Sequence, residues 1–176
     1  MPTDLARLYD THAPAVFGFA LNLTGSEAEA RDVLQEVFRR LARRPELLEG
    51  VDNARAFLLR LAHNQAVDHM RRRTVRDKAH DRAAAEANGF APGANPDEDA
   101  FRRALAAALA ELPAEQRAVA HLKLWEHQTF EQIAGTLGVS PHTAASRYRY
   151  ALDKLRARLR PLYDEIKPPW TSSKNS

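Results

Sequence analysis

Apolar positions recur along this chain at the three-and-four spacing of amphipathic helices, and nowhere do Val, Ile and Thr alternate as they would in strands. Segment 27–43 is the clearest case. Leu34, Val37, Phe38 and Leu41 fall on one face, while Asp32, Gln35, Glu36 and Arg39 repeat the same spacing almost opposite. A first helix is predicted over 4–22, with Leu5, Leu8, Tyr9, Val16, Phe17, Ala20 and Leu21 as its apolar positions and Pro14 kinking or dividing it. Ser26 suits the cap of helix 27–43, and Pro45 ends it. Asp52 or Asn53 can cap a third helix over 54–79. Its early part, Ala56 to Ala62, is apolar nearly all round and belongs at the centre of a small core, whereas Arg71, Arg72 and Arg73 make its far end basic.

Turn and breaker signals interrupt the pattern at Asn88-Gly89, Pro92-Gly93 and Pro96, so 80–96 reads as a flexible linker. Helices near 97–111 and 114–126 follow, separated by Pro113. Val119, Leu122 and Trp125 are expected to share a core with Phe130, Ile133, Leu137, Val139 and Leu152. The expected fold is all-α: two small helical domains at 1–79 and 97–162, the second with four helices, and a disordered tail at 163–176.

The second domain ends in a distinctive pair. Thr129 and Gln132 form a capping-box pattern, Gly138 suits the left-handed residue after a helix end, Ser140 is a good N-cap and Pro141 falls at the first helical position. This is a helix-turn-helix pattern, which places its second helix in the DNA major groove. Within that helix Tyr148, Leu152, Leu155 and Leu159 form the predicted inward stripe. Thr143, Ser146 and Tyr150 lie opposite, with His142 and Arg149 beside them and Arg147 on a flank. Ala144 and Ala145 are small enough for close approach to a neighbouring helix or to DNA.

Charge distribution extends the picture more than the net formal charge of +3 does. Residues 53–78 hold seven Arg or Lys against two acids, and residues 141–160 hold six against Asp153. Two separate basic helices suggest two contacts with a polyanion. With no cysteine, disulfides and thiolate metal sites are excluded. The seven histidines are scattered; His63 and His69 read as lying on or beside a nucleic-acid face. Asp97, Glu98 and Asp99 sit at a predicted helix start, where acids favour the dipole. No phosphate-cradling glycine loop or nucleophile elbow occurs, so no enzymatic activity, metal or cofactor is expected. No apolar run reaches membrane-spanning length and the N-terminus lacks a signal-peptide core, so a cytoplasmic protein without membrane insertion is expected.

Three motifs in order then carry a resemblance. Asp32-Val33-Leu34-Gln35-Glu36-Val37-Phe38 resembles the Asp-x-x-Gln-Glu-x-Phe motif of bacterial sigma factors. The segment from Ala56 to Arg72 resembles their following helix, and Leu112-Pro113-Ala114-Glu115-Gln116-Arg117 the start of their second DNA-binding domain. Short length and the lack of a middle domain make the chain similar to the extracytoplasmic-function (ECF) class. Two positions depart from the usual pattern: Ala145 stands where a basic residue is frequent, and glycine is common near Gln128.

The resemblance implies a sigma factor that binds core RNA polymerase and directs promoter recognition, DNA melting and initiation. Asp32, Gln35, Glu36 and Arg39 would dock on polymerase. The loop 45–53 with Asn64, Asp68, His69, Arg71, Arg72 and Arg73 would read the minus-ten element and hold the melted non-template strand. Ala145, Ser146, Arg149 and Tyr150, with His142, Thr143 and Arg147, would read the minus-thirty-five element of duplex promoter DNA. An anti-sigma partner is a further implication, though it leaves no mark in the sequence. The rival reading is a stand-alone helix-turn-helix regulator that binds operator DNA without polymerase; it would need a dimer interface or sensor domain. A third is an adaptor of the transcription machinery.

Overall fold

The computed structural model describes residues 4–77 and 96–166, and within them the chain forms seven α-helices and no strand. They are α1 (Leu5–Thr24), α2 (Glu27–Arg43), α3 (Ala54–Asp77), α4 (Pro96–Ala110), α5 (Ala114–Leu124), α6 (Phe130–Leu137) and α7 (Pro141–Ile166). The linker expected at 80–96 and the tail expected at 163–176 lie mostly outside the described residues: only Pro96 of the first is described, as the start of α4, and only 163–166 of the second, as the end of α7.

Local chemistry accounts for most helix ends. Asp4 caps α1, its carboxylate accepting from the Ala6 and Arg7 amides, and Gly25 closes the helix at φ 67°. Ser26 accepts from the Glu29 amide to start α2. Asn53 rather than Asp52 starts α3, its side-chain oxygen accepting from Ala56 N at 3.0 Å. Pro45 ends α2 and opens one turn of 3-10 helix, Pro45–Leu48, inside the segment read as a loop. Helix α1 runs unbroken through Pro14 instead of dividing there. Pro14 sits on the exposed side, where the forfeited backbone bond is met by solvent.

Helices α1, α2 and α3 pack around Val16, Phe19, Val33, Val37, Leu41, Leu58 and Leu59, all essentially without solvent contact. Phe38 is buried as its spacing predicted, with Tyr9 packed edge-on against it at 4.8 Å. In the second domain Ala108, Leu109, Leu112, Ala120, Ala151 and Leu155 form a smaller cluster. The inward stripe of α7 is rotated from the expected one. Ala144, Ala151 and Leu155 are buried, while Tyr148, Leu152 and Leu159 are only half-buried. Alanine lets neighbouring helices approach closely, so the seam follows small residues rather than large ones. Trp125, expected in the core, is 42% exposed, because α5 ends at Leu124 and turns it outwards.

The two domains are not separate in this structure. Ala118, Val119, Leu122, Ile133 and Ala144 of the second belong to the same buried cluster as the α1–α3 core. The His121 ring lies 5.1 Å from that of Phe19, and the Asn22 side-chain amide donates to its Nδ1 at 3.1 Å. Arg117 donates to the carbonyls of Asn22 and Leu23 at 3.1 and 3.0 Å and to those of Ala110 and Leu112 at 2.9 and 2.8 Å. One guanidinium thus satisfies otherwise open carbonyls at the C-terminal ends of both α1 and α4. Arg55 of α3 pairs with Glu126, Nη2 to Oε1 at 3.1 Å.

Burial holds His121 neutral, with its pKa pushed down to about 4; nearby Glu126 and Arg55 pull in opposite directions. His12 and His63 are also lowered, chiefly by burial. The unfolded chain therefore binds more protons than the folded one between the ordinary histidine value of 6.5 and about 4. Stability is fully present above that window and falls as pH drops through it. Thermal melts are expected to show a lower Tm at pH 5 than at pH 7.5. His121→Gln should reduce that difference; an identical pH slope in the variant would contradict the assignment.

Candidate nucleic-acid interface

The helix-turn-helix is built by α6, a short turn and the start of α7. At its entry, Thr129 Oγ1 accepts from Gln132 N at 3.2 Å while Gln132 Oε1 accepts from Thr129 N at 2.8 Å. Gly138 takes φ 68°, a conformation that disfavours any side chain, and its amide closes on Ala134 O. Ser140 Oγ then accepts from the Thr143 amide at 3.0 Å and starts α7. Ala144, fully buried one turn in, fixes the rotation of α7.

That rotation decides what the reading helix presents. His142, Arg149 and Tyr150 are exposed, and Ala145 and Ser146 lie half-buried between them, so these five share one face at one-turn and two-turn spacing. The Arg149 guanidinium lies 5.4 Å from the centre of the Tyr150 ring, which orients a long side chain before any ligand arrives. Two expected residues stand apart. The Thr143 hydroxyl is engaged with Ser140 Oγ at 2.8 Å, and Arg147 turns to Glu115 of α5 at 3.3 Å. Glu115 is exposed while Arg147 is half-buried, and an ion pair with one partner in solvent is weak, about 1 kcal/mol, so Arg147 can be recruited by a phosphate at little cost.

The second basic surface lies on α3. Asn64, Asp68, Arg71 and Arg72 are exposed along one stripe. His69 and Arg73 are half-buried and turn with Arg72 and Arg76 toward α2, where Glu29 and Asp32 complete a polar cleft of about 220 Å³. Arg73 pairs with Glu29 at 3.8 Å. The arginines on this side are therefore partly neutralised by acids of the neighbouring helix. The segment before α3 holds Leu47 and Leu48 against the core, so its exposed edge is set by Glu46, Glu49 and Gly50.

On α2 the polar stripe faces outward as its spacing required. Asp32, Gln35 and Arg39 are exposed, and Glu36 accepts from Arg39 Nη1. Asp32 belongs to both surfaces: it is on the polar stripe of α2 and at the mouth of the arginine-lined cleft. Sequence reasoning did not single out Glu29, Arg76, Asn22, Arg55, His121 or Glu126. Each takes its place from a neighbour distant in the chain, and none stands out in a helical period. Among the described residues no helix is long and apolar enough to cross a membrane.

Comparison with known proteins agrees with this fold. Residues 8–76 match the family model for Sigma-70 region 2, and residues 108–157 match that for Sigma-70, region 4. The chain is 37% identical over 159 residues to the ECF RNA polymerase sigma factor SigL of Mycobacterium tuberculosis, covering 88% of each. It is 31% identical over 161 residues to the RNA polymerase sigma factor CarQ of Myxococcus xanthus, covering 90% of this chain and 91% of that one. The fold is similar to that of the sigma factor RpoE from Bartonella quintana, solved in complex with the anti-sigma factor NepR, with a TM-score of 0.76 at 24% identity over 89% of this chain and 97% of that one. Two matched regions in order, on helices that present two basic surfaces and one polar stripe, place this chain in the ECF family of RNA polymerase sigma factors, the initiation factors that bind core polymerase and direct it to promoters.

Proposed function

We propose a division of labour among the three surfaces. The stripe Asp32, Gln35, Glu36 and Arg39 docks on core polymerase. Asn64, Asp68, His69, Arg71, Arg72 and Arg73, with the edge of 45–53, engage the minus-ten element and its melted non-template strand. His142, Ala145, Ser146, Arg149 and Tyr150 read the minus-thirty-five element in the major groove, with Thr143 positioning the helix start and Arg147 turning to a phosphate. The observation that supports this most strongly is the presentation of Arg149 and Tyr150 at the exposed mouth of a fully capped helix-turn-helix.

Arginines on both domains neutralise phosphates and release counterions, which gives salt-sensitive affinity without sequence preference. Specificity comes from base edges met by α7. Opening the duplex costs a few kcal/mol per unstacked base. Trapping extruded bases beside α3 shifts the population toward the open state. The chain itself performs no covalent step; polymerase does, and the chain works in the cytoplasm beside it. An anti-sigma factor of the kind seen with RpoE would act by covering these same surfaces.

Arg149→Ala is expected to lower transcription from a matched promoter by roughly 5- to 150-fold, since a bidentate base contact is worth about 1–3 kcal/mol. The loss should shrink on promoters whose upstream element is already mismatched. Equal losses on both promoters, or none, would contradict the assignment of this face. Run-off transcription with core polymerase measures both.

A further inference from the structure

The outer face of α7 restricts which bases it can accept. Thr143 is held by Ser140 and Arg147 turns to Glu115, which leaves His142, Ala145, Ser146, Arg149 and Tyr150 to meet base edges. Arg149 meets Tyr150 through the aromatic ring, a contact that spends none of its N–H donors on a hydrogen bond. Its planar fork therefore stays available for the O6 and N7 acceptors of guanine.

Ala145 poses the opposite case. Its neighbour Ala144 is fully buried and pins the helix, so the Ala145 methyl emerges half-buried at the edge of the reading face, one turn before Arg149. Tyr148 and Leu152, three and seven residues further on, are half-buried and continue an apolar flank beside it. Position 145 has no hydrogen bond to offer from its side chain. Pressed against the major-groove edge of adenine, guanine or cytosine, its methyl would strip water from N6, N7, O6 or N4 groups and return nothing, and an unpaired polar group is costly. Thymine alone adds a C5-methyl group there, and the contact then buries apolar surface on both sides. The selection is two-sided: a gain with thymine and a penalty with the other three.

We propose that Ala145 reads the C5-methyl of a thymine in the upstream promoter element, one to two base pairs from a guanine read by Arg149. The spacing follows from the helix: four residues advance about 6 Å along the axis, against about 3.4 Å per base step. The inference rests on the assignment of the α7 face proposed above, and it names the base that this face selects.

Selection from promoters randomised through the upstream element, with core polymerase and the full-length chain, should recover thymine and guanine at that spacing. Deoxyuridine keeps every hydrogen-bonding group of thymidine and lacks only the methyl. Placing it at the selected thymine should lower run-off transcription by roughly three- to fivefold, the worth of one buried methyl group. Ala145→Gly should transcribe the two templates equally. Ala145→Lys should move the selected base from thymine to guanine. Arg149→Ala should lose the guanine preference and keep the difference between thymine and uracil. Each comparison is a ratio between templates with one protein, so a change in folding stability cancels. Equal transcription of both templates by the unchanged chain, or an undiminished difference in Ala145→Gly, would overturn the proposal. If Arg149→Ala keeps its guanine preference, the assignment of the α7 face fails and the proposal fails with it; indifference to the methyl alongside a lost guanine preference sinks the proposal alone.

Discussion

Reversing two charges together, Asp32→Lys with Glu36→Lys, is expected to weaken binding to core polymerase by roughly 30- to 1000-fold, about 2–4 kcal/mol, because like charges set against a complementary surface cost several kcal/mol. Both residues lie on the outward stripe of α2, away from Val33, Val37, Phe38 and Leu41, which hold the helix in place. The fold should therefore survive. Glu36→Lys sets a cation beside Arg39, but an exposed like-charge pair on one helix costs only a few tenths of a kcal/mol. Asp32→Lys also places a cation beside Arg72, Arg73 and Arg76 in the polar cleft, disturbing a second surface. A pull-down with core polymerase, alongside a circular dichroism melt, separates docking from folding. An unchanged yield for the double variant would remove α2 as the docking face. Glu46→Lys, exposed but off the stripe, is the control and should bind as wild type.

Phe19→Ala is expected to destabilise the chain by about 3–5 kcal/mol, the usual cost of emptying a phenylalanine site in a packed interior. Phe19 is fully buried, and its ring faces His121 across the domain seam, so the cavity would open into both halves of the core. For a chain of this length the melting temperature should drop by about 10 °C. Trp125→Ala provides the discriminating comparison. A core tryptophan would cost as much as Phe19, but Trp125 is 42% exposed and meets the His121 ring at only one edge of the seam. Its loss should cost no more than about 1–2 kcal/mol. Equal destabilisation by the two substitutions would contradict the described packing.

These two residues also mark where the sequence could and could not be read. The capping chemistry is local: Thr129 with Gln132, Gly138 and Ser140 fall within a few residues of the groups they bond, so the helix-turn-helix was legible in full. The α2 stripe was legible because its polar and apolar positions segregate cleanly around the helix. The second half of α1, Val16 to Leu23, is apolar nearly all round, and its spacing pointed to Phe17, whereas Phe19 is the fully buried ring and Phe17 only half-buried. The choice is made by α5, about a hundred residues away in the chain. For the same reason Trp125 looked like core: nothing local reveals that α5 stops at Leu124. Arg117 was visible as part of a motif, but its work, donating to carbonyls at the ends of two other helices, depends wholly on tertiary position. On α7 Leu155 of the expected stripe is buried, but Tyr148, Leu152 and Leu159 yield the centre of the seam to Ala144 and Ala151, because close approach of helices favours small residues over large ones.

The central claim, that this chain gives RNA polymerase its choice of promoter, is tested most directly by run-off transcription on a library of genomic promoters with core polymerase, with and without the purified chain. A defined set of start sites is expected only when both are present, each preceded by two elements at one fixed spacing, with the set altered by Arg149→Ala. The same transcripts appearing without the chain, or equally selective DNA binding by the chain with no polymerase present, would contradict the account.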